Sequence, residues 1–150
     1  MTDHDEVVAR TVTALGLLAI ALIHILELPE TIREEAYVGW LFIGAIVSSL
    51  LLVAILTRTN DSRAWTATGG FAALVLIAFL FSRTTGLPGF TDYKGVWDDS
   101  SGLQSMVFEG FVVVVSGAVL ATRSPSVARQ RAEMRDRSGR AGRPGPAAMG

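Results

Sequence analysis

His24 and Glu27 stand three residues apart in the run IALIHILEL, a spacing that puts both on one face of a helix. An imidazole beside a carboxylate can relay a proton, ligate a divalent metal or accept a cationic ligand. Glu109 interrupts another apolar run, SMVFEGFVVVVSGAVLA, and Arg83 closes a third, FLFSR. Ionisable groups in such runs are costly unless they face a bundle interior or one another. His24, Glu27, Arg83 and Glu109 are therefore the candidate ligand- or ion-binding residues, and His24, Glu27 and Glu109 are the set open to a divalent metal. The segment after Arg83, TTGLPGFTDYKGVWDDSSGLQ, supplies Pro88, Asp92, Trp97, Asp98 and Asp99 as candidates for a lid over that cluster. A second reading fits the same residues. Glu109 pairs with Arg83, Glu27 and His24 reach the membrane interface, and the result is a polar packing seam. Likewise WDDSSG offers carboxylates and hydroxyls to a ligand, and the same residue types serve as a turn and helix cap.

The elements that must position these groups follow from hydropathy. Of 150 residues half are apolar and 18% are charged, with a mean hydropathy of +0.43, a composition that excludes an ordinary water-soluble domain. A hydrocarbon core of roughly 30 Å takes about 20 helical residues, and four stretches qualify, at 7–28, 36–57, 64–82 and 103–122. The valine run in the last reads as helix, because an open strand edge in lipid leaves backbone groups unpaired. Pro29 is expected to end the first helix. The leader before it is acidic and no small-x-small cleavage site follows, so the first stretch is a retained span and not a signal peptide. The fold class is an all-α membrane protein, a four-transmembrane-helix antiparallel bundle over 1–122. The remainder, 123–150, is Arg-, Gly- and Pro-rich without an apolar face and is expected to be a disordered tail.

An even number of spans puts both termini on one side, and that side would carry Arg10, Arg58, Arg63 and seven arginines between Arg123 and Arg143. The opposite side has Arg33, Arg83 and Lys94. The excess of basic residues predicts cytoplasmic N- and C-termini in the inner membrane of the cell, which turns Glu27 and Glu109 toward the outer leaflet. The expected partners are the lipid bilayer, anionic lipid at the arginine-rich tail, and a homo-oligomer or larger membrane complex; no nucleic-acid partner is expected. RTNDSR makes a tight inner turn that is expected to force the second and third helices to be antiparallel neighbours. The long outer loop is of a length and turn chemistry that commonly fold over neighbouring helices. Small residues four apart, Gly44 with Ser48, Gly69 with Ala73 and Gly117 with Ala121, allow close helix contacts.

Enzymatic signatures are missing from the sequence. It has no nucleophile elbow, paired zinc-protease histidines, Walker loop or dinucleotide fingerprint. With no cysteine, thiolate chemistry and Cys-type metal sites are excluded. The cofactor is undetermined: a divalent metal is compatible with the residues, whereas a haem held by two histidines within one chain is not expected, because His4 lies in the leader and His24 is the single histidine in a span, so such ligation would need a second subunit.

SRTTGLPGF, the following GVWDD, Gly102 and Glu109 in VFEG resemble a group of small, uncharacterised bacterial four-helix membrane proteins. In that group an R-T-x-G-L-P-G segment, a tryptophan with acidic neighbours and a helix glutamate recur. The resemblance covers chiefly residues 82–110 and carries no activity. It implies that Arg83, Gly86, Leu87, Pro88, Gly89, Trp97 and Glu109 act together. Asp98-Asp99 replaces the Glu-Pro of that pattern, so the resemblance assigns those carboxylates no role. Two functions fit the whole. One is a non-enzymatic inner-membrane protein whose outward-facing polar cluster binds a metal ion, proton or small ligand. The other is a structural or accessory subunit in which the cluster is only a seam.

Overall fold

The computed structural model describes residues 3–59, 61–89 and 91–124. The tail expected to be disordered lies, beyond Ser124, outside the described residues. Four helices account for the architecture: α1 (Asp3–Glu34), α2 (Ala36–Arg58), α3 (Ser62–Thr84) and α4 (Ser100–Arg123). Each is long and apolar enough to cross a membrane. Among the described residues no strand forms, so the valine-rich segment of α4 is helical.

Pro29 does not end the first helix, which continues through it to Glu34. A proline φ suits a helix, and the cost is one lost backbone bond, to the Ile25 carbonyl. Ile25 and Pro29 are both exposed. The turn beyond is closed by the Thr31 hydroxyl donating to the Glu27 carbonyl at 2.9 Å and the Glu35 N–H donating to the Thr31 carbonyl at 2.9 Å. Glu35 alone joins α1 to α2, and a Cβ on Gly39 would lie 2.7 Å from Cβ of Ile32, so only glycine lets the two helices approach there. α3 and α4 begin on aspartate caps: Asp61 accepts from the Arg63 N–H at 3.0 Å, and Asp99 from the Ser101 N–H at 3.2 Å.

α1 packs on α2 and on α4, and α3 packs on α4, while α2 and α3 barely touch. The short RTNDSR turn therefore does not make them packed neighbours: each instead buries its surface against its other neighbour in the chain, α2 on α1 and α3 on α4. The core is a cluster of Leu17 and Ile20 from α1, Leu52 and Leu56 from α2, Trp65 and Ala72 from α3, and Val112 and Val119 from α4. At the end of the bundle that bears Trp65, Glu6 pairs with Arg10 at 3.0 Å and with Arg123 at 3.4 Å, and Arg123 lies over the Trp65 ring at 6.0 Å. At the other end the loops meet. The Tyr37 hydroxyl donates to the Pro88 carbonyl at 2.7 Å, and the Tyr93 hydroxyl to Glu34 at 3.3 Å. Of the small-residue pairs, Gly69 faces Ser116 across α3 and α4, whereas open space surrounds Gly44 and Gly117.

Candidate functional site

At the loop-bearing end a pocket of 410 Å³ opens between the helices, and His24, Glu27, Arg83 and Glu109 all line it. α1 brings His24 and Glu27 from one face, α3 ends on Arg83, and α4 turns Glu109 inward.

Glu109 is 1% exposed. Its Oε1 accepts from the Ser105 hydroxyl at 2.6 Å, one turn earlier on α4, while Oε2 is buried with no partner among the described residues. His24 is buried, with its edge against the Phe42 ring at a centroid distance of 4.7 Å. Its Nδ1 lies 2.9 Å from the Ile20 carbonyl. A carbonyl oxygen can only accept, so Nδ1 carries the proton and, in the neutral ring, Nε2 keeps its lone pair for a ligand.

Arg83 is 4% exposed, and its partner is Asp99, not Glu109. The guanidinium also lies over the faces of Phe79 at 5.0 Å and Tyr93 at 4.6 Å, two cation–π contacts that fix its plane. Nε and Nη1 have no partner among the described residues. Gly102 makes this arrangement fit, because a Cβ there would lie 2.7 Å from Nη2 of Arg83 and 2.7 Å from the Phe79 ring. Burial alone would push the Asp99 carboxyl up. Hydrogen bonds from Ser101 and Gly102 and the charge of Arg83 outweigh it and hold the group below the usual carboxylate range. Burial and the nearby Glu34 carboxylate push the Tyr93 phenol up to about 12.

The loop between α3 and α4 holds three glycines at positive φ, Gly86, Gly89 and Gly95, and the first and last fold it back through backbone hydrogen bonds. Gly86, at φ 82°, ends α3 with its N–H donating to the Phe81 carbonyl at 2.9 Å. Gly95, at φ 80°, donates to the Arg83 carbonyl at 2.8 Å and brings Tyr93 over the guanidinium. Pro88, Asp92, Trp97 and Asp98 are exposed and do not line the pocket. Of the residues expected to form a lid, only Asp99 borders it, as the cap of α4 and the counter-ion of Arg83. Ser105, Tyr93, Phe79 and Gly102 are also part of the site, beyond the residues expected from the sequence. Ser105 was open to reading, being one helical turn from Glu109. Nothing in the sequence spacing joins Tyr93 or Gly102 to Arg83.

Among the described residues no three His, Cys, Asp or Glu side chains come together as a metal-binding set. The arrangement offers a buried acceptor at Glu109 Oε2, the Nε2 lone pair of a neutral His24, buried donors on Arg83, and the half-buried Glu27 carboxylate. Compared with protein-family models, with curated proteins and with solved structures, the chain gives no significant match.

Proposed function

We propose that the chain is a non-enzymatic, multi-pass protein of the inner membrane, with four antiparallel spans and cytoplasmic termini, that holds a small ligand in its outward-facing pocket. The observation that carries this reading is the buried, unpartnered Oε2 of Glu109 in a pocket that His24, Glu27 and Arg83 also line. A polar atom left in such a place costs about 1–3 kcal/mol unless something bonds to it, and a ligand hydrogen would do so. The separation of His24, Glu27 and Glu109 into less than a metal-binding set favours an organic ligand over a divalent ion. The orientation rests on the ten basic residues assigned to one side against three on the other. The tail arginines among them would add attraction to anionic lipid.

The test uses full-length protein extracted from membranes. A small molecule that copurifies with the wild type, detected by mass spectrometry, should be lost in Glu109→Gln and His24→Ala at unchanged unfolding midpoint. Variants that alter stability alone would defeat the reading. A reporter fused to the C-terminus should be active only in the cytoplasm, and activity outside would overturn the orientation.

The Arg83–Asp99 and Ser105–Glu109 pairs, formed within the protein itself, favour a second reading as a structural subunit with a polar seam. Purification in mild detergent with mass measurement separates the two, since a stoichiometric protein partner is expected only of the subunit.

A further inference from the structure

The walls of the pocket are not all interior. Trp40, Leu41 and Gly44 on α2 and Leu74 and Ala78 on α3 line it and are exposed, Trp40 at 67% and Leu74 at 66%. α2 and α3 are the helices that barely touch, so the pocket is open sideways along a slot between them. Gly44 lies eight residues into α2 and Ala78 six residues before the end of α3, which at about 1.5 Å per residue places the slot roughly 9–12 Å along each helix. That depth is inside the hydrocarbon of a bilayer and not in its aqueous margin.

Polar groups close the pocket at the loop-bearing end, and carboxylates outnumber cations there: Glu27, Asp99 and Glu109 face the single guanidinium of Arg83. Arg83 is itself committed to Asp99. What remains for an occupant is the Glu27 carboxylate, the unpartnered oxygen of Glu109 and the lone pair of His24, with the Nε and Nη1 hydrogens of Arg83 beside them; three carboxyl groups against one guanidinium favour a cation over an anion. Resting on the ligand-binding reading above, we infer that the ligand is a single-chain amphiphile with a protonated amine head. It enters sideways from the bilayer between α2 and α3, lays its hydrocarbon chain against Trp40, Gly44 and Leu74, and donates from its ammonium to Glu109. The shape supports the chain, since a Cβ on Gly44 would meet nothing within 4 Å and the space beside it is open.

Native mass spectrometry of the full chain, released from a neutral maltoside detergent, tests this with three probes: dodecylamine, butylamine and dodecyl phosphate. Dodecylamine should bind at one molecule per chain, at least tenfold more tightly than either of the others. Glu109→Gln should weaken it at least tenfold. Gly44→Phe and, from the facing helix, Ala78→Phe fill the slot and should abolish dodecylamine binding while leaving butylamine binding as in the wild type. Equal binding of butylamine and dodecylamine, or indifference to both slot variants, overturns lateral access and leaves a Glu109-dependent pocket standing. Equal binding of dodecyl phosphate overturns the cationic head. If no amine binds and Glu109→Gln changes nothing, this inference falls. The ligand-binding reading falls with it only if no molecule copurifies with the wild type. A dimer that either slot variant dissociates would assign the slot to a second copy of the chain and overturn the inference.

Discussion

At the Trp65 end of the bundle the charged side chains of Glu6, Arg10 and Arg123 are only half-buried and the fully buried polar side chains are small hydroxyls, whereas at the Arg83 end ionisable side chains, His24, Arg83 and Glu109, are themselves buried. Thr13, Ser49, Thr68 and Ser116, one from each helix, are all fully buried, and their hydroxyl oxygens have no partner among the described residues. A helical hydroxyl can rotate toward the carbonyl one turn back, so it constrains little. Arg83, by contrast, is fixed by Asp99, by two aromatic faces and by the missing side chain of Gly102. The difference separates two tasks. One end packs the bundle, and the other holds a particular arrangement of charge at the expense of unpartnered polar atoms on Arg83 and Glu109.

Trp65→Ala should have the largest effect, about 3–5 kcal/mol lost from a fully buried site, read as a fall in unfolding midpoint in detergent, with the pocket end unaffected in ligand binding. Next comes Asp99→Ala, which leaves Arg83 buried without its counter-ion and removes the α4 cap. The cost is about 2 kcal/mol, less than the ~3–5 kcal/mol of a fully enclosed pair, because the Asp99 side chain is 26% exposed. Asp99→Asn keeps the cap and should also change the pH profile. The folded carboxyl titrates below its usual value, so its contribution is complete above about pH 4, where the unfolded carboxylate is ionised, and is lost as the pH falls through the lower folded value. The variant should flatten that acid limb of the midpoint-against-pH curve. Gly102→Ala drives a methyl against Arg83 and Phe79 and should cost about 1–2 kcal/mol by overpacking. Smallest is Ser116→Ala at the packed end, within about 0.5 kcal/mol on the reading that its hydroxyl constrains little. A loss comparable to that of Asp99→Ala would break the contrast between the two ends.

Four apolar runs were legible as four helices, because the pattern required is only length and absence of charge. The extension of α1 past Pro29 was not, since a proline at the end of an apolar run reads as a stop unless the helix beyond it is held by contacts such as Ile32 against Gly39. The side of the bundle shared by His24, Glu27, Arg83 and Glu109 could be read from their positions near helix ends. Their pairing could not. Arg83 had carboxylates at the α4 cap, position 99, and within α4, position 109, at one end of the bundle, and the choice depends on helix rotation and on the room left by Gly102, neither of which spacing reveals. Gly44 shows the same limit. As half of a small-residue pair it reads as a helix contact, yet it faces open space beside the pocket.

The packing order carries a consequence for how the chain can be divided. Each of the pairs α1–α2 and α3–α4 is packed closely along its own seam, the two pairs are held together through α1 against α4, and the connection at 59–61 joins helices that barely meet. Cutting the gene at that connection removes a covalent link but almost no buried surface. Two half-proteins, each a helical hairpin with its own pair of spans, should therefore find one another in the membrane and rebuild the whole.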